Sequence, residues 1–427
     1  MKFKIILYLI LIICFLVSFN TINLLSEDIR TAILADLIEE GLKNNPQVQA
    51  QYAQWKAAES KAKYISRYPD PRAQYSFFGE TVETRVGPQE HKYGLSQTIP
   101  FPGKLSFTGF AQRNQVKIEK EQYEAVKREL IKNIKHAYYD LSWIDASISI
   151  TENEKSLLKN MEQTARRKYE SNRTSQQDVI KTQVEISKLI DTLYRLKQNR
   201  DSLAAMLNNL LNREISAPLE SVAPVEPQEF TLSLDQLLSM GKEKRPELQA
   251  AQFLVKKAEE ELIFSKLNYL PDFTLSYDYI QVGDGTTRQA DDGKDAWLGT
   301  VSINLPIWFG KLSSHVKEKK ELLTAKRKDS ENLENRISFE IEDLFLKINT
   351  YKDIISLYRT ALIPQVNQAY EASRTAYESG KAEFLNWLDA ERVFLHTNLA
   401  YYKSIVDYQK SIVLMERAIG SDIPLQL

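Results

Sequence analysis

Two long stretches without turn-forming residues constrain what this chain can fold into. From Phe110 to Ala217 there is neither glycine nor proline, and the stretch from Lys311 to Ile419 contains only Pro364 and Gly380. A helix in a globular protein has about 11 residues on average. The two stretches therefore predict helices several times longer than usual and a mostly α-helical protein.

Apolar residues in both stretches recur at alternating steps of four and three residues. The first series comprises Val126, Leu130, Ile134, Ala137, Leu141, Ile144 and Ile148, and the second comprises Ile337, Ile341, Leu344, Ile348, Tyr351, Ile355, Tyr358 and Leu362. This is the heptad pattern of helices that pack side by side, so it predicts coiled-coil packing rather than a cofactor site.

The chain also contains two copies of one unit, at an offset that drifts from about 200 to about 208 residues. The matching pairs include Gly41 and Gly241, Pro46 and Pro246, Pro69-Asp70 and Pro271-Asp272, Pro100 and Pro306, and Tyr169–Ser171 and Tyr377–Ser379. We therefore predict a first repeat over 27–213, a proline-containing linker over 214–230, a second repeat over 231–420 and a C-terminal tail over 421–427.

Each repeat is predicted to hold an opening helix, two strands and two long helices, in that order. The opening helices cover 31–67 and 232–269. Because proline removes a helical hydrogen bond and clashes with the preceding turn, Pro46 and Pro246 should kink or restart them.

Residues 1–26 have the layout of a secretory signal peptide. Lys2 and Lys4 precede an apolar run from Ile5 to Val17. This run is shorter than the roughly 20 residues that a membrane-spanning helix needs. We expect cleavage near the end of this segment and a mature protein that acts outside the cytoplasm.

Composition excludes several classes of protein. The 56 lysines and arginines nearly balance the 57 aspartates and glutamates, so nucleic acid is not an expected partner. A mean hydropathy of −0.39 excludes a bundle of membrane-spanning helices. The one cysteine, Cys14, excludes an intrachain disulfide, and Ile13 stands where a lipid-anchored cysteine would need a small residue.

An enzyme is a rival class that no motif supports. The four histidines are scattered without the spacing of a metal site, and no nucleophile elbow, phosphate loop or zinc-protease motif occurs. We therefore predict no catalytic, cofactor-binding or metal-binding residue.

Four segments alternate between apolar and polar residues with the period of a β-strand. Each is about 9 to 11 residues long, which is the length and pattern of outer-membrane barrel strands with apolar side chains toward lipid. The predicted lipid-facing residues are Tyr75, Phe77, Tyr93, Leu95, Phe273, Leu275, Tyr277, Trp297, Val301 and Ile303. The connecting segments 83–90 and 281–295 are polar, so we predict surface loops there.

A soluble antiparallel sheet with helices on one face would show the same alternation. The export signal, the repeat and the long helices favour a membrane protein. Known bacterial barrels need at least eight strands, so four strands per chain predict a barrel shared between subunits.

Two segments that join a strand to a helix resemble a known family. Thr98–Leu105 reads TIPFPGKL and Leu305–Leu312 reads LPIWFGKL, and both are similar to the strand-to-helix corner of the TolC family of outer-membrane efflux proteins. Leu37–Pro46 and Ile363–Ala390 are similar to that family's opening helix and second helical hairpin. The resemblance implies a homotrimer in the cell outer membrane. Its twelve strands form one transmembrane β-barrel, continuous with a long periplasmic α-helical barrel, and no cofactor is implied.

The residues of the corners themselves explain why each strand ends and a helix begins there. Pro100, Pro102 and Pro306 cannot donate to a strand ladder, so they end the strands. Gly103 then permits a tight turn before the helix begins, and Gly310 is its counterpart in the second corner.

The resemblance implies that the tips of the helical hairpins, over 169–177 and 377–384, contact a periplasmic adaptor protein. The residues predicted to make this contact are Arg173, Thr174, Ser175, Lys381 and Glu383. A plain turn would explain the same residues.

The resemblance also implies a periplasmic gate, for which Glu371, Arg374 and Glu378 are the candidates. Family members often use acidic side chains here, and this chain lacks an aspartate pair, which leaves the chemistry of its gate open. A solvated helix face is the alternative explanation.

The leading interpretation is a passive exit duct that completes a tripartite efflux pump and exports small solutes, either drugs or metal cations. The implied partners are the adaptor, an inner-membrane pump of RND or ABC type and outer-membrane lipid. Two alternatives stay open, a channel for type I protein secretion and a periplasmic coiled-coil scaffold or adaptor.

Overall fold

A computed structural model of the protein describes residues 34–285 and 290–423. The predicted signal peptide, the start of the first opening helix and residues 424–427 of the tail lie outside this part. Within it, no helix combines the length and the apolar character needed to cross a bilayer.

The two halves of the chain contain the same elements in the same order. The first half comprises α1 (34–44), α2 (Pro46–Tyr64), β1 (Arg72–Thr84), β2 (Gly87–Ile99), α3 (Lys104–Glu170) and α4 (Gln176–Leu210). The second half comprises α5 (Leu234–Lys244), α6 (Pro246–Leu267), β3 (Phe273–Val282), β4 (Ala296–Ile303), α7 (Phe309–Leu357), a π-helical turn (Tyr358–Leu362), α8 (Ile363–Glu378) and α9 (Phe384–Ile419).

Prolines interrupt the helices where the sequence predicts. Pro46 begins α2 and Pro246 begins α6, so each opening helix is two helices separated by one residue. The side chain of that residue in the first half, Asn45, accepts hydrogen bonds from the backbone N–H groups of Gln47 (2.9 Å) and Val48 (3.3 Å) and caps α2. The π-helical turn ends two residues before Pro364, the second residue of α8, and its wider backbone accommodates the absence of the hydrogen bond that this proline cannot donate.

The chain forms two compact units, each of which contains segments of both halves. The helical unit contains the described residues up to 50, 124–245 and those from 336 onward; the sheet unit contains 51–123 and the described residues of 246–335. This division differs from the division into repeats, because both repeats contribute to each unit.

Both heptad series lie in the core of the helical unit. Ile134 and Leu141 of α3 and Ile341 and Ile348 of α7 are fully buried, as coiled-coil packing requires. Both opening helices approach these cores closely. A Cβ atom on Gly41 would lie 2.5 Å from Ile134 Cδ1, and one on Gly241 would lie 2.5 Å from Ile341 Cδ1.

The linker between the halves is irregular, but side chains of the helical unit bind it along its length. Ser142 donates to the Ala223 carbonyl (2.9 Å), and the Val222 N–H donates to Asp145 (2.8 Å). Gln409 donates to the Glu226 carbonyl (2.9 Å), and Phe230 is buried. The segment is therefore part of the helical unit rather than a free tether.

The sheet unit contains one antiparallel sheet in the order β1-β2-β3-β4. β1 and β2 have 13 residues each, β3 has 10 and β4 has 8. The predicted surface loop over 83–90 is wrong, because both strands continue through it to a two-residue turn at 85–86, where Thr84 pairs with Gly87. Gly87 has a φ of 130°, which a glycine adopts without strain.

Candidate functional site

Most apolar residues of the four strands lie on one face of the sheet and are exposed. Paired residues lie on the same face, and the pairs Leu95–Tyr277, Leu275–Val301 and Phe273–Ile303 place the strands in a common register. All ten predicted lipid-facing residues share this face and are exposed, reaching 70% at Phe77 and Trp297. In β3 the apolar residues are more exposed than the polar residues between them. A soluble sheet shows the opposite arrangement.

An aromatic row crosses all four strands on this apolar face. Tyr75 pairs with Tyr93, Tyr93 with Tyr279, and Tyr279 with Trp297. The ring centroids of Tyr75 and Tyr93 are 5.3 Å apart, and those of Tyr93 and Tyr279 are 6.5 Å apart. Tyr279 belongs to the face although it is absent from the ten predicted residues. Such a row matches the aromatic girdle with which membrane barrels meet the lipid headgroups.

The opposite face carries mainly hydroxyl and amide side chains, together with a central ion pair and the apolar residues Ile280 and Leu298. Lys92 Nζ lies 3.2 Å from the Asp278 carboxylate, which is only 14% exposed. The residue beside Asp278 on the next strand is Gly94, and a Cβ atom there would lie 2.6 Å from Asp278 Oδ1. Glycine at this position therefore makes room for a charged pair on an otherwise largely neutral surface.

The first strand-to-helix corner is built around a buried lysine. Pro100 follows the end of β2, and Gly103 turns the chain with a φ of 100°. Lys104 Nζ then donates to Asp272 Oδ1 (2.8 Å) and to the Leu270 carbonyl (2.9 Å). The two halves of the chain thus meet at this corner.

The second corner has a different turn, and its side chains are exposed. Gly310 lies one residue farther from Pro306 than Gly103 lies from Pro100; it falls in the first turn of α7 and has no positive φ. Trp308 and Lys311 are exposed. Gly310 therefore does not form the positive-φ turn of Gly103, because the extra residue lets helical geometry begin earlier relative to the proline.

The two hairpin tips have the same backbone geometry. Asn172 follows α3 with a φ of 56°, and Gly380 follows α8 with a φ of 77°. In each, the N–H of the next residue bonds to the carbonyl five residues earlier, Arg173 to Lys168 (2.8 Å) and Lys381 to Ala376 (2.8 Å). The first tip is residues 171–175, and the second tip is residues 379–383.

The tips lie together and present the predicted adaptor-contacting residues. Lys168 of α3 donates to the Tyr377 carbonyl of α8, and its ammonium lies 4.1 Å from the Tyr377 ring centroid. The exposed residues are Arg173, Ser175, Lys381 and Glu383. Thr174 is half-buried, because its hydroxyl bonds to the carboxylate of Asp178 at the start of α4.

The three candidate gate residues form one local charge ladder on α8. Arg374 lies 2.9 Å from the Glu371 carboxylate and 3.9 Å from that of Glu378. All three side chains are between 42% and 53% exposed. Within a chain, Arg374 is thus flanked by carboxylates one helical turn away on either side.

A buried pair of carboxyl groups lies in the helical unit and was not predicted. Glu154 of α3 and Glu391 of α9 are each 2% exposed and hydrogen-bond to each other. Burial raises the pKa of both groups above 4.5, and the contact with Glu154 raises the pKa of Glu391 further, whereas its hydrogen bond with Glu391 lowers the pKa of Glu154 in part. The pair therefore holds a proton between its oxygens. No local pattern of residues indicates this pair, because the two glutamates belong to helices that are distant in sequence.

Comparison with known proteins agrees with this geometry. The family model described as outer membrane efflux protein matches residues 37–213 and 237–421. TtgC of Pseudomonas putida, named a probable efflux pump outer membrane protein, is 23% identical over 316 residues, which are 68% of this chain and 60% of TtgC. CzcC of Cupriavidus metallidurans, named a cobalt-zinc-cadmium resistance protein, is 22% identical over 269 residues, which are 60% of either chain.

Solved structures show the same fold. The crystal structure of VceC from Vibrio cholerae matches with a TM-score of 0.77 at 18% identity, over 92% of this chain and 97% of that chain. The first curated relatives are matched over 60% of their own length. Since the family model covers most of the chain in both of its halves, the protein belongs to the outer membrane efflux protein family.

Proposed function

We propose that this protein is the outer-membrane exit duct of a tripartite efflux pump. The observation that carries the proposal is the exposed apolar face of the sheet, with its aromatic row across the four strands. Such a face is stable against lipid, whereas in water it would expose a large contiguous apolar patch.

Closure of the barrel requires further subunits. β1 and β4 are the edges of the sheet, and four strands cannot close on themselves. In a homotrimer, the β4 strand of each subunit pairs with β1 of the next, which gives a barrel of twelve strands. The long helices of the three subunits form an α-helical barrel in the periplasm.

The duct works by providing a water-filled path. The polar face of the sheet lines the lumen with hydroxyl and amide groups, and each subunit contributes one Lys92–Asp278 pair. Because the charges of this pair cancel, the lumen near it favours neither sign of solute. No bond is made or broken, and energy for export comes from an inner-membrane pump.

The partners dock at the hairpin tips. The exposed polar side chains Arg173, Ser175, Lys381 and Glu383 contact the periplasmic adaptor, and docking shifts the population of the α8 helices toward an open state. Glu371, Arg374 and Glu378 line the gate. Their mutual ion pairs would reduce the repulsion between three Arg374 side chains brought together in the trimer.

The exported class is small solutes, either toxic organic compounds or metal cations. The names of TtgC, an efflux pump protein, and CzcC, a metal resistance protein, support one class each. The lumen itself selects between them only weakly, so the pump sets the choice.

A deletion strain tests the proposal. Loss of the gene should increase susceptibility to toxic organic compounds or to divalent metal cations, and the wild-type gene should restore resistance. Normal resistance to both classes in the deletion strain, with no second channel gene expressed, would contradict an efflux role.

The tips are tested in the same strain. The double variant Arg173→Glu/Lys381→Glu should assemble normally but fail to restore resistance. Lys320→Glu/Lys328→Glu, a change of equal charge at two exposed lysines of α7, is the matched control and should restore it. Full resistance with the tip variant would place the adaptor elsewhere.

A further inference from the structure

The first corner is held by a contact between the two halves of the chain, and the residues of this contact recur elsewhere in the sequence. Lys104 is 7% exposed and binds Asp272 and the Leu270 carbonyl. Asp272 Oδ1 also accepts the Phe101 backbone N–H (2.7 Å). The corner of the first half is thus completed by the segment that leads into β3, in the second half.

The repeat supplies a second copy of both charged residues. Lys104 and Lys311 occupy the same place in the corner motif. Asp272 and Asp70 each follow a proline, Asp272 directly before β3 and Asp70 two residues before the first residue of β1. Asp70 and Lys311 are both exposed, and neither side chain makes a hydrogen bond or an ion pair with the described part of its own chain. They flank β1 and β4, the opposite edges of the sheet.

The apolar residues around the two unpaired charges are exposed as well. At the second corner, Ile307 is 58% exposed and Trp308 is 72% exposed. Before β1, Tyr64 is 62% exposed and Tyr68 is 63% exposed. At the first corner Phe101 is half-buried, and Tyr269 and Leu270, which precede β3, are each 36% exposed. One chain therefore contains both surfaces needed for a second corner, the one around Lys311 and the one around Asp70, but they lie at opposite edges of its sheet.

We propose that Lys311 of one copy of this chain binds Asp70 of the next copy, and that this contact builds a second corner like the first. The proposal rests on the trimer of the proposed function. In it, Lys311 also reaches the Tyr68 carbonyl, as Lys104 reaches that of Leu270. Trp308 covers the tyrosines that precede β1.

The same correspondence fixes the register between subunits. Within the chain Ser96 of β2 pairs with Ser276 of β3. The equivalent residues of β4 and β1 are Ser302 and Gln74, so these two should lie opposite each other across the subunit boundary. A shift of two residues would keep the faces of the sheet but would separate Lys311 from Asp70.

Disulfide cross-linking tests the register. The variant Ser302→Cys/Gln74→Cys should form intermolecular disulfides, because residues opposite each other in an antiparallel pair have Cα atoms about 4.5 to 5.5 Å apart. Ser96→Cys/Ser276→Cys is the matched control and should form an intrachain bond without change of mass. Ser302→Cys/Ser76→Cys reports a slipped register and should cross-link several-fold less.

Charge reversal tests the ion pair. Lys311→Glu and Asp70→Lys should each lower the melting temperature of the oligomer, because each leaves one charge without its partner at the boundary. The double variant should recover most of the loss. If the reversed chains do not assemble, Lys311→Gln and Asp70→Asn, with the same measurement, remove the charges without introducing repulsion.

The outcomes separate this inference from the trimer itself. Cross-linking of the slipped pair in preference to Ser302/Gln74 overturns the register while leaving the trimer intact. Additive losses without recovery in the double variant overturn the ion pair. A single chain in detergent, measured by light scattering, instead overturns the proposed assembly on which both depend.

Discussion

At the residue scale, the proposed membrane barrel depends on which side chains of the strands point toward lipid and which point toward the lumen. Leu275→Arg should destabilise the assembled protein by about 2 to 4 kcal/mol if this position faces lipid near the bilayer midplane. Ser276→Arg, the next residue on the polar face, should cost far less, because an arginine in the lumen stays hydrated. Comparison of the two unfolding midpoints in lipid vesicles measures the difference. Equal losses would mean that the facing assignment is wrong.

The buried pair Glu154 and Glu391 should make stability depend on pH. Burial raises the pKa of both carboxyls in the folded protein, so the folded state binds protons more tightly than the unfolded state above the ordinary value of 4.5. The stabilising contribution is therefore complete below that pH and is lost as the pH rises through the folded pKa values.

Thermal melting at several pH values checks this dependence. The melting temperature should fall between about pH 5 and pH 9, and the double variant Glu154→Gln/Glu391→Gln should flatten that slope because an amide pair has no proton to lose. Glu342→Gln, at an exposed glutamate of α7, is the control and should leave the slope unchanged. A slope that persists in the double variant would contradict the shared proton.

Patterns of neighbouring residues in the sequence predicted single-residue features only where the cause is local. The alternation in the strands identified ten exposed apolar residues correctly, because side-chain direction follows position along a strand. The Glu154–Glu391 contact joins two helices that are distant in sequence, and no local pattern reports it. The Lys104–Asp272 bond is an intermediate case. The repeat in the sequence identifies both residues as recurring features, but it does not show that they contact each other.

At the scale of elements, the hairpin tips depend on one backbone conformation. Gly380 has a φ of 77°, and no heavy atom lies within 4 Å of the position where a Cβ would be. Gly380→Ala should therefore cost about 1 to 2 kcal/mol from backbone strain alone. Asn172→Gly, at the equivalent point of the first tip, should not lower stability.

Chemical unfolding of the detergent-extracted protein measures both tip variants. A loss for Asn172→Gly as large as that for Gly380→Ala would show that side-chain contacts, rather than backbone conformation, hold the tips. Glycine is otherwise favourable at a positive φ, so the backbone account requires opposite behaviour at the two sites.

Element lengths were predicted well for helices and less well for strands. The prolines located the breaks in the opening helices, because proline acts on its own preceding turn. The strands β1 and β2 extend beyond their apolar alternation, since backbone pairing between Thr84 and Gly87 continues through polar residues. A prediction from polar composition alone therefore underestimates the length of a hairpin whose strands extend beyond the apolar band.

At the scale of the whole molecule, the two repeats and the two compact units divide the chain differently. The repeat describes the order of elements, whereas each unit is assembled from segments of both halves. Long-range packing of this kind follows from which elements meet in space, which a period in the sequence does not specify. The linker is a second example. Its hydrogen bonds with Ser142, Asp145 and Gln409 cannot be predicted from its proline-rich composition.

The central claim is that this chain forms a membrane channel only as a shared barrel. The most direct test is the mass of the detergent-extracted protein by light scattering, after separation of the inner and outer membranes. The account predicts an outer-membrane particle of three chains. A soluble periplasmic monomer or dimer would contradict it, because the four strands would then form a covered sheet and the apolar face would have to be buried by something other than lipid.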